Sequence, residues 1–119
     1  MNKISLTALA RQHLKAARGA PNGRSAHTVY GGHEHLLRQT LIALTGGSVL
    51  DDHESPGEAT LQVLRGRVRL TSPDASWEGS SGDHLTIPPV RHGLHAVDDS
   101  VVLLTVVKTI QPAAQPAQP

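Results

Sequence analysis

The chain has 119 residues, with 11 basic and 10 acidic side chains, a formal net charge of +1 and no cysteine. This length suits one domain with a single hydrophobic core, and the balanced charge is atypical of proteins that bind nucleic acid. Without cysteine, disulfides and thiolate metal sites are excluded, so a metal ion would need histidine, carboxylate or amide ligands.

Residues 4–18 have the pattern of an amphipathic helix, with apolar side chains recurring on one face and basic or polar ones on the other. Ser5 is predicted to cap its N-terminus and Gly19 its C-terminus. The basic face has three interpretations: the solvated side of a helix packed on the domain, a transit-peptide-like segment, or a nucleic-acid contact. We favour the first, since a helix-turn-helix would need a second helix.

The next segment, residues 19–32, contains four glycines and a proline and predicts a linker. Residues 33–110 then predict a barrel domain of short strands. The first of these strands, Leu36–Leu44, is apolar on both faces, as expected of a strand buried on two sides or lying at a dimer contact. Residues 111–119, composed only of Gln, Pro and Ala, predict a disordered tail.

The alternation around Gly66 predicts a hairpin with one buried face. Its side chains divide by parity into an interior set and a solvent-facing set. The interior set is Leu61, Val63, Val68 and Leu70, and the outer set is Thr60, Gln62, Arg67 and Arg69. Further strands are predicted over 85–88, 93–97 and 101–108. Short strands at this even spacing indicate a sandwich or barrel. No apolar run approaches the roughly 20 residues of a membrane span, and no signal-peptide segment is seen, so we expect a cytoplasmic protein.

Two histidine-bearing segments resemble the paired motifs of the cupin superfamily. The first family motif, G-x5-H-x-H-x3,4-E-x6-G, is matched by Gly47, His53 and Gly66, and the second, G-x5-P-x-G-x2-H-x3-N, by Gly82, Pro88 and His92. The resemblance implies an all-β fold, a cupin-type double-stranded β-helix or jelly-roll barrel of the RmlC-like kind, here with one N-terminal helix. It also implies a site in the barrel mouth, and a homodimer is common among such proteins.

The match to the metal ligands is incomplete. Ser55 stands where the first motif has its second histidine, and Ala59 stands where it has its glutamate. In cupins that match the full motif the ligands hold Fe, Mn, Ni or Zn, which suits imidazole. The resemblance therefore implies His53 and His92 as metal ligands, with a third ligand still required. The alternative is a polar, water-filled cavity at these two histidines that holds no ion. Ser55 would be a weak one, and Glu58 would need a β-bulge to turn it inward.

Other histidines are weaker candidates. His33 and His35 would share one face if they lay in a strand, which is a ligand spacing, but two surface histidines are the favoured interpretation. Strand alternation places the side chains of His95 and His84 on the outer face of the barrel, and Arg91 is expected at its rim.

Two classes of function follow from these residues. One is a metal-dependent enzyme, an isomerase or dioxygenase of a small organic acid. The other, which we favour, is a non-catalytic or sensor-like protein that binds a small molecule, with or without a divalent metal, in the barrel mouth through His53, His92, Glu58 and Ser55. The motif residues that maintain the fold are retained while two of the four usual metal ligands are lost, and this is the reason for the preference.

Overall fold

The computed structural model describes residues 2–55 and 57–108. Within these ranges the chain forms one helix, α1, and nine strands. The elements are α1 Leu6–Gly19, β1 Arg24–Tyr30, β2 Leu37–Leu44, β3 Val49–His53, β4 Gly57–Arg65, β5 Arg67–Thr71, β6 Ser76–Ser80, β7 His84–Thr86, β8 His92–Ala96 and β9 Ser100–Lys108. The helix of the described part is too short and too polar to cross a membrane.

The strands form two antiparallel sheets that face each other. One sheet has five strands in the order β1-β2-β9-β4-β7, and the other has four in the order β3-β8-β5-β6. The core between them includes Leu61, Val63, Val68 and Leu70, each at most 2% exposed. The all-β barrel and the inward parity of these four side chains are therefore confirmed. Gln62, Arg67 and Arg69 are exposed, as their parity predicts.

The hairpin predicted around Gly66 is wrong. Strand β4 pairs with β9 and β7, whereas β5 pairs with β6 and β8, so the two strands belong to different sheets. Gly66, with a φ of 82°, turns the chain through a corner from one sheet to the other. The alternation of apolar and polar residues indicates which face of a strand is buried. It does not indicate the neighbouring strand, because two strands that face each other across a core show the same alternation as two strands that pair.

The linker predicted over 19–32 is also wrong for half of its length. Arg24–Tyr30 forms β1 and pairs with β2, from Arg24 opposite Leu44 to Tyr30 opposite Gln39. Its residues alternate between exposed and half-buried, which is a strand pattern that the neighbouring glycines obscured. The barrel therefore begins before residue 33. The tail predicted over 111–119 lies outside the described residues.

Helix α1 covers the outer face of the five-stranded sheet. Its buried residues Ala10, Leu14 and Ala17 pack with Leu41 and Val101. Strand β2 is therefore buried on two sides along its second half. Leu41 and Ala43 lie under the helix, and Ile42 and Leu44 point into the barrel. The N-cap is confirmed, because the Ser5 Oγ accepts a hydrogen bond from the Ala8 N–H at 3.1 Å. The C-cap is Ala20, one residue beyond the expected Gly19.

Asp99 ties the last turn of the helix to the barrel. One carboxylate oxygen accepts from the Gly46 N–H at 2.8 Å, and the other accepts from Arg18 Nε at 2.9 Å. The backbone hydrogen bond from Gly46, followed by the hydrogen bond and charge of Arg18, lowers the pKa of the Asp99 carboxyl below its ordinary value.

This lowered pKa predicts a loss of stability in acid. The pKa of Asp99 is lower in the folded protein than in the unfolded chain, where it is about 3.9. The ionised carboxylate therefore contributes its full share to the free energy of unfolding above the unfolded-state pKa. This share is lost as the pH falls through the folded-state pKa. Urea unfolding between about pH 5 and about pH 3 should therefore show a steeper loss for the wild type than for Asp99→Asn, which keeps an acceptor for Gly46. Identical pH dependence in the two proteins would contradict a role for the Asp99 charge. The effect should be small, since both partners of the ion pair are partly exposed.

Candidate functional site

His53 and His92 lie side by side across the pairing of β3 with β8. They are direct register partners, and their ring centroids are 4.6 Å apart with the planes inclined at 64°. The segments that resemble the two cupin motifs thus meet, although 38 residues separate the two histidines in the chain.

A β-bulge in β3 makes this meeting possible. Leu50 lies opposite Leu94 and His53 opposite His92, so three residue steps on β3 match two on β8. Leu50 faces the interior, and strict alternation would place His53, three positions later, on the outer face. The extra residue between them returns His53 to the interior side. Gly93 leaves the space for it, since a Cβ at that position would meet the Leu50 carbonyl oxygen at 3.1 Å and the Asp52 carboxylate.

The two rings line a small cavity between the sheets. The cavity has a volume of about 40 Å³, enough for about three water molecules. Eight apolar side chains from both sheets form the rest of its lining, among them Ile42, Leu61 and Leu104. His92 is only 4% exposed, whereas His53 is exposed, so His53 stands at the mouth and His92 further in. The imidazoles are the polar groups of an otherwise apolar lining.

Both rings are oriented by the backbone. The Nδ1 atom of His92 lies 2.8 Å from the Val90 carbonyl oxygen, and that of His53 lies 3.0 Å from the Asp51 carbonyl oxygen. A carbonyl oxygen only accepts, so each Nδ1 carries the proton and donates it. In the neutral rings both Nε2 atoms then keep a lone pair. The site offers two acceptors that can bind a hydrogen-bond donor or a metal ion.

The structure does not bring Glu58 to the histidines. Its side chain is exposed on the outer face of β4, opposite Val107, while its neighbour Ala59 is buried and lines the cavity. The bulge that was expected to turn Glu58 inward is absent there, because the register with β9 is continuous from Gly57 to Val63. That expectation is therefore wrong.

Ser55 also lies outside the cavity lining. Its Oγ donates to the Gly57 carbonyl oxygen at 2.9 Å within the loop that leads into β4. Ser55 stands where the family has a histidine, and its hydroxyl is engaged by the loop backbone. Ala59 stands where the family has a glutamate, and it offers only a methyl group. Neither adds a ligand to the imidazole pair.

The remaining candidates stay away from the site. His33 and His35 lie at a turn before β2 instead of in a strand, so the shared face expected from their spacing does not form. The ring of His35 packs edge-on against Tyr30, 5.1 Å between centroids.

His84 and His95 are exposed, as their parity predicts. Arg91 is exposed at the rim, where it contacts the Glu54 carboxylate and the Asp52 carbonyl oxygen.

The donor set does not fit the metal centre that the full motif would supply. Among residues 2–55 and 57–108, no three histidine or acidic side chains cluster in a way that could hold an ion. The two imidazole nitrogens would leave the other positions of a tetrahedral or octahedral ion to water. Such an ion would be weakly held.

Sequence reasoning missed part of the cavity wall. Ile42, Leu50 and Leu104 line it, and their parity with buried neighbours could have identified them once the strands were aligned. The bulge in β3 could not be predicted from the sequence, because Asp51 and Asp52 do not differ from polar residues of a regular strand.

Comparison with known proteins identifies similar folds. Neither a protein-family model nor a curated protein matches the sequence. Among solved structures, the chain resembles a conserved protein of unknown function from Streptococcus pyogenes, with 26% identity over 77% of this chain and 80% of that one and a TM-score of 0.68. It also resembles an RmlC-like cupin from Desulfovibrio desulfuricans, with 25% identity over 71% and 81% of the two chains and a TM-score of 0.62. A cupin superfamily protein from Desulfitobacterium hafniense is 15% identical over 72% and 78%, with a TM-score of 0.66.

Proposed function

Because this chain has the RmlC-like cupin fold, we propose that it is a non-catalytic, sensor-like protein that binds a small molecule at the mouth of its barrel. The observation that carries the proposal is the pair of imidazoles, His53 and His92, whose Nδ1 atoms are both held by backbone carbonyls. Two backbone-held imidazoles that line an otherwise apolar cavity form a recognition site for a compact ligand whose hydrogen-bond donor reaches their free Nε2 atoms.

The size of the cavity limits the ligand. About 40 Å³ is far below the roughly 300 Å³ at which pockets for drug-sized molecules begin. A ligand of a few non-hydrogen atoms can enter the cavity that the rings line, or the polar end of a larger one can do so while its body remains at the mouth beside the exposed His53. The apolar lining favours a ligand that is neutral where it enters, because a charge there would lose its hydration.

A second candidate is a metal-dependent enzyme acting on a small organic acid. It is supported by the same two imidazoles, which line one cavity and are ligands that suit Fe, Mn, Ni or Zn. The first candidate is preferred because Ala59 and Ser55 add no ligand to the pair.

Isopropanol and acetone provide a test of the first candidate, since they have the same size and only the alcohol donates a hydrogen bond. We expect isopropanol to shift the ring-nitrogen NMR signals of His53 and His92 saturably, and acetone to bind more weakly. Changing His92 to Phe keeps an aromatic ring but removes Nε2, and should weaken isopropanol binding about fivefold, the loss of one hydrogen bond of about 1 kcal/mol.

His95→Phe is the matched control, because His95 lies on the same strand but faces solvent. Equal binding of the two probes, or equal effects of the two substitutions, would contradict recognition by the histidine pair.

Metal analysis of untagged protein separates the two candidates. The His53→Ala, His92→Ala double variant should fold, and under the first candidate the wild type retains no stoichiometric ion after dialysis. A full equivalent of metal in the wild type that the double variant loses would overturn the non-catalytic proposal in favour of the enzyme. Metal retained by both proteins would instead place the ion at His33 and His35.

We also propose that the protein is a cytoplasmic homodimer. The start of β2 supports the dimer, since Leu36 and Leu37 are 52% and 39% exposed, and Leu37 pairs with Val107, which is 39% exposed. Helix α1 covers only the second half of this strand, so the exposed apolar side chains at its start are free to contact a second copy.

A further inference from the structure

A second binding site is suggested by a groove on the other side of the five-stranded sheet, between α1 and the end of β4. It has a volume of about 290 Å³ and is lined by Leu6, Thr7, Ala10, Arg11, Leu64 and Arg65. The groove shares no residue with the histidine cavity. It combines an apolar floor with two guanidinium groups.

A second bulge directs Arg65 to this groove. Leu61 and Val63 point into the barrel, and alternation would send Arg65 the same way. The register with β9 shifts between Val63 and Arg65, so Leu64 is an extra residue and Arg65 lies opposite Val101, which packs under the helix. The bulge thus keeps a charge out of the core and places Arg65 on the groove that Arg11 also lines.

The two arginines have no acidic partner within the described chain. The ion pairs found there join Arg18 to Asp99, Arg69 to Glu78 and Arg91 to Glu54. Asp99 is close enough for the charge of Arg65 to contribute to its lowered pKa, but its oxygens are occupied by Arg18 and Gly46. Two arginines without an ion-pair partner among the described residues therefore line one groove, and an anion bound there would be attracted to both charges.

We propose that this groove binds an organic carboxylate with an apolar body, such as a medium-chain fatty acid. The guanidinium groups of Arg11 and Arg65 match a carboxylate, to which arginine can donate paired hydrogen bonds. Leu6, Ala10 and Leu64 receive the hydrocarbon chain. The volume lies near the lower end of the range for small-molecule pockets. This proposal does not depend on the function assigned to the histidine cavity.

Octanoate is the probe for this site, followed by amide chemical shifts during titration of the full chain. 1-Octanol has the same chain without the charge, and inorganic phosphate has charge without the chain. We expect octanoate to bind more tightly than either, with shifts in α1 and at the end of β4, and to bind more weakly at high salt. Arg11→Gln and Arg65→Gln should each weaken octanoate binding about tenfold, the usual effect of losing a charge-assisted hydrogen bond.

Arg38→Gln is the matched control, because Arg38 is exposed on β2 and does not line the groove. The amide spectrum of each variant shows whether it remains folded, and the two groove substitutions remove exposed side chains that should not affect folding. Equal binding of octanoate and octanol would overturn the role of the arginines. Phosphate binding as tightly as octanoate would overturn the role of the apolar floor. Shifts confined to the histidine cavity, or unchanged binding in both groove variants, would overturn the site itself.

Discussion

Replacing Val63 with aspartate is expected to unfold the domain. The side chain is fully buried among the apolar side chains of the core between the two sheets, so the carboxylate would lose its hydration without gaining a partner. Such a substitution costs several kcal/mol, which is comparable with the roughly 5–15 kcal/mol that stabilises a typical domain. Urea unfolding followed by circular dichroism measures the loss.

The neighbouring Gln62→Asp provides the control for this experiment. Gln62 lies on the opposite, exposed face of the same strand, opposite Leu103 of β9. The same change in charge should therefore alter the free energy of unfolding by no more than about 0.5 kcal/mol. Comparable losses in the two variants would show that the register assigned to β4 is incorrect.

Changing Gly66 to alanine should produce the second largest loss, about 3 kcal/mol in the free energy of unfolding. Its φ of 82° lies in the left-handed region, where a Cβ introduces strain. That Cβ would also meet the Asp99 carbonyl oxygen and the Ser100 side chain.

The clash with Ser100 accounts for much of the expected loss of stability. Its side chain is completely buried, and its Oγ accepts from the Arg67 N–H at 3.0 Å and lies 2.7 Å from the Asp98 carbonyl oxygen, to which it can donate. Displacing it would break hydrogen bonds that join the corner after β4 to the start of β9.

Gly47→Ala separates backbone strain from this clash. Gly47 has a similar φ of 91°, but a Cβ there would meet no atom within 4 Å. We expect a loss of about 1 kcal/mol from strain alone, measured in the same urea unfolding experiment. If the two alanine variants lost equal stability, the packing of Gly66 against Asp99 and Ser100 would not be responsible for the effect.

The sequence by itself determined which side chains are buried in the regular elements. The helical spacing of Ala10, Leu14 and Ala17 and the alternation of Leu61 and Val63 are local properties, because the geometry of one helix or strand fixes which of its side chains share a face. The spacing of the glycines and histidines in the two motif-like segments was likewise sufficient to identify the cupin fold.

Only the tertiary structure decided which strands pair and where the bulges fall. Strand β1 was hidden among glycines, and β4 and β5 alternate alike although they lie in opposite sheets. The bulges that bring His53 to His92 and Arg65 to the groove lined by Arg11 each add one residue to a strand, and this extra residue is defined only by the strand opposite. A single extra residue reverses the direction of each side chain that follows it, so both candidate sites depend on pairings that no local pattern records.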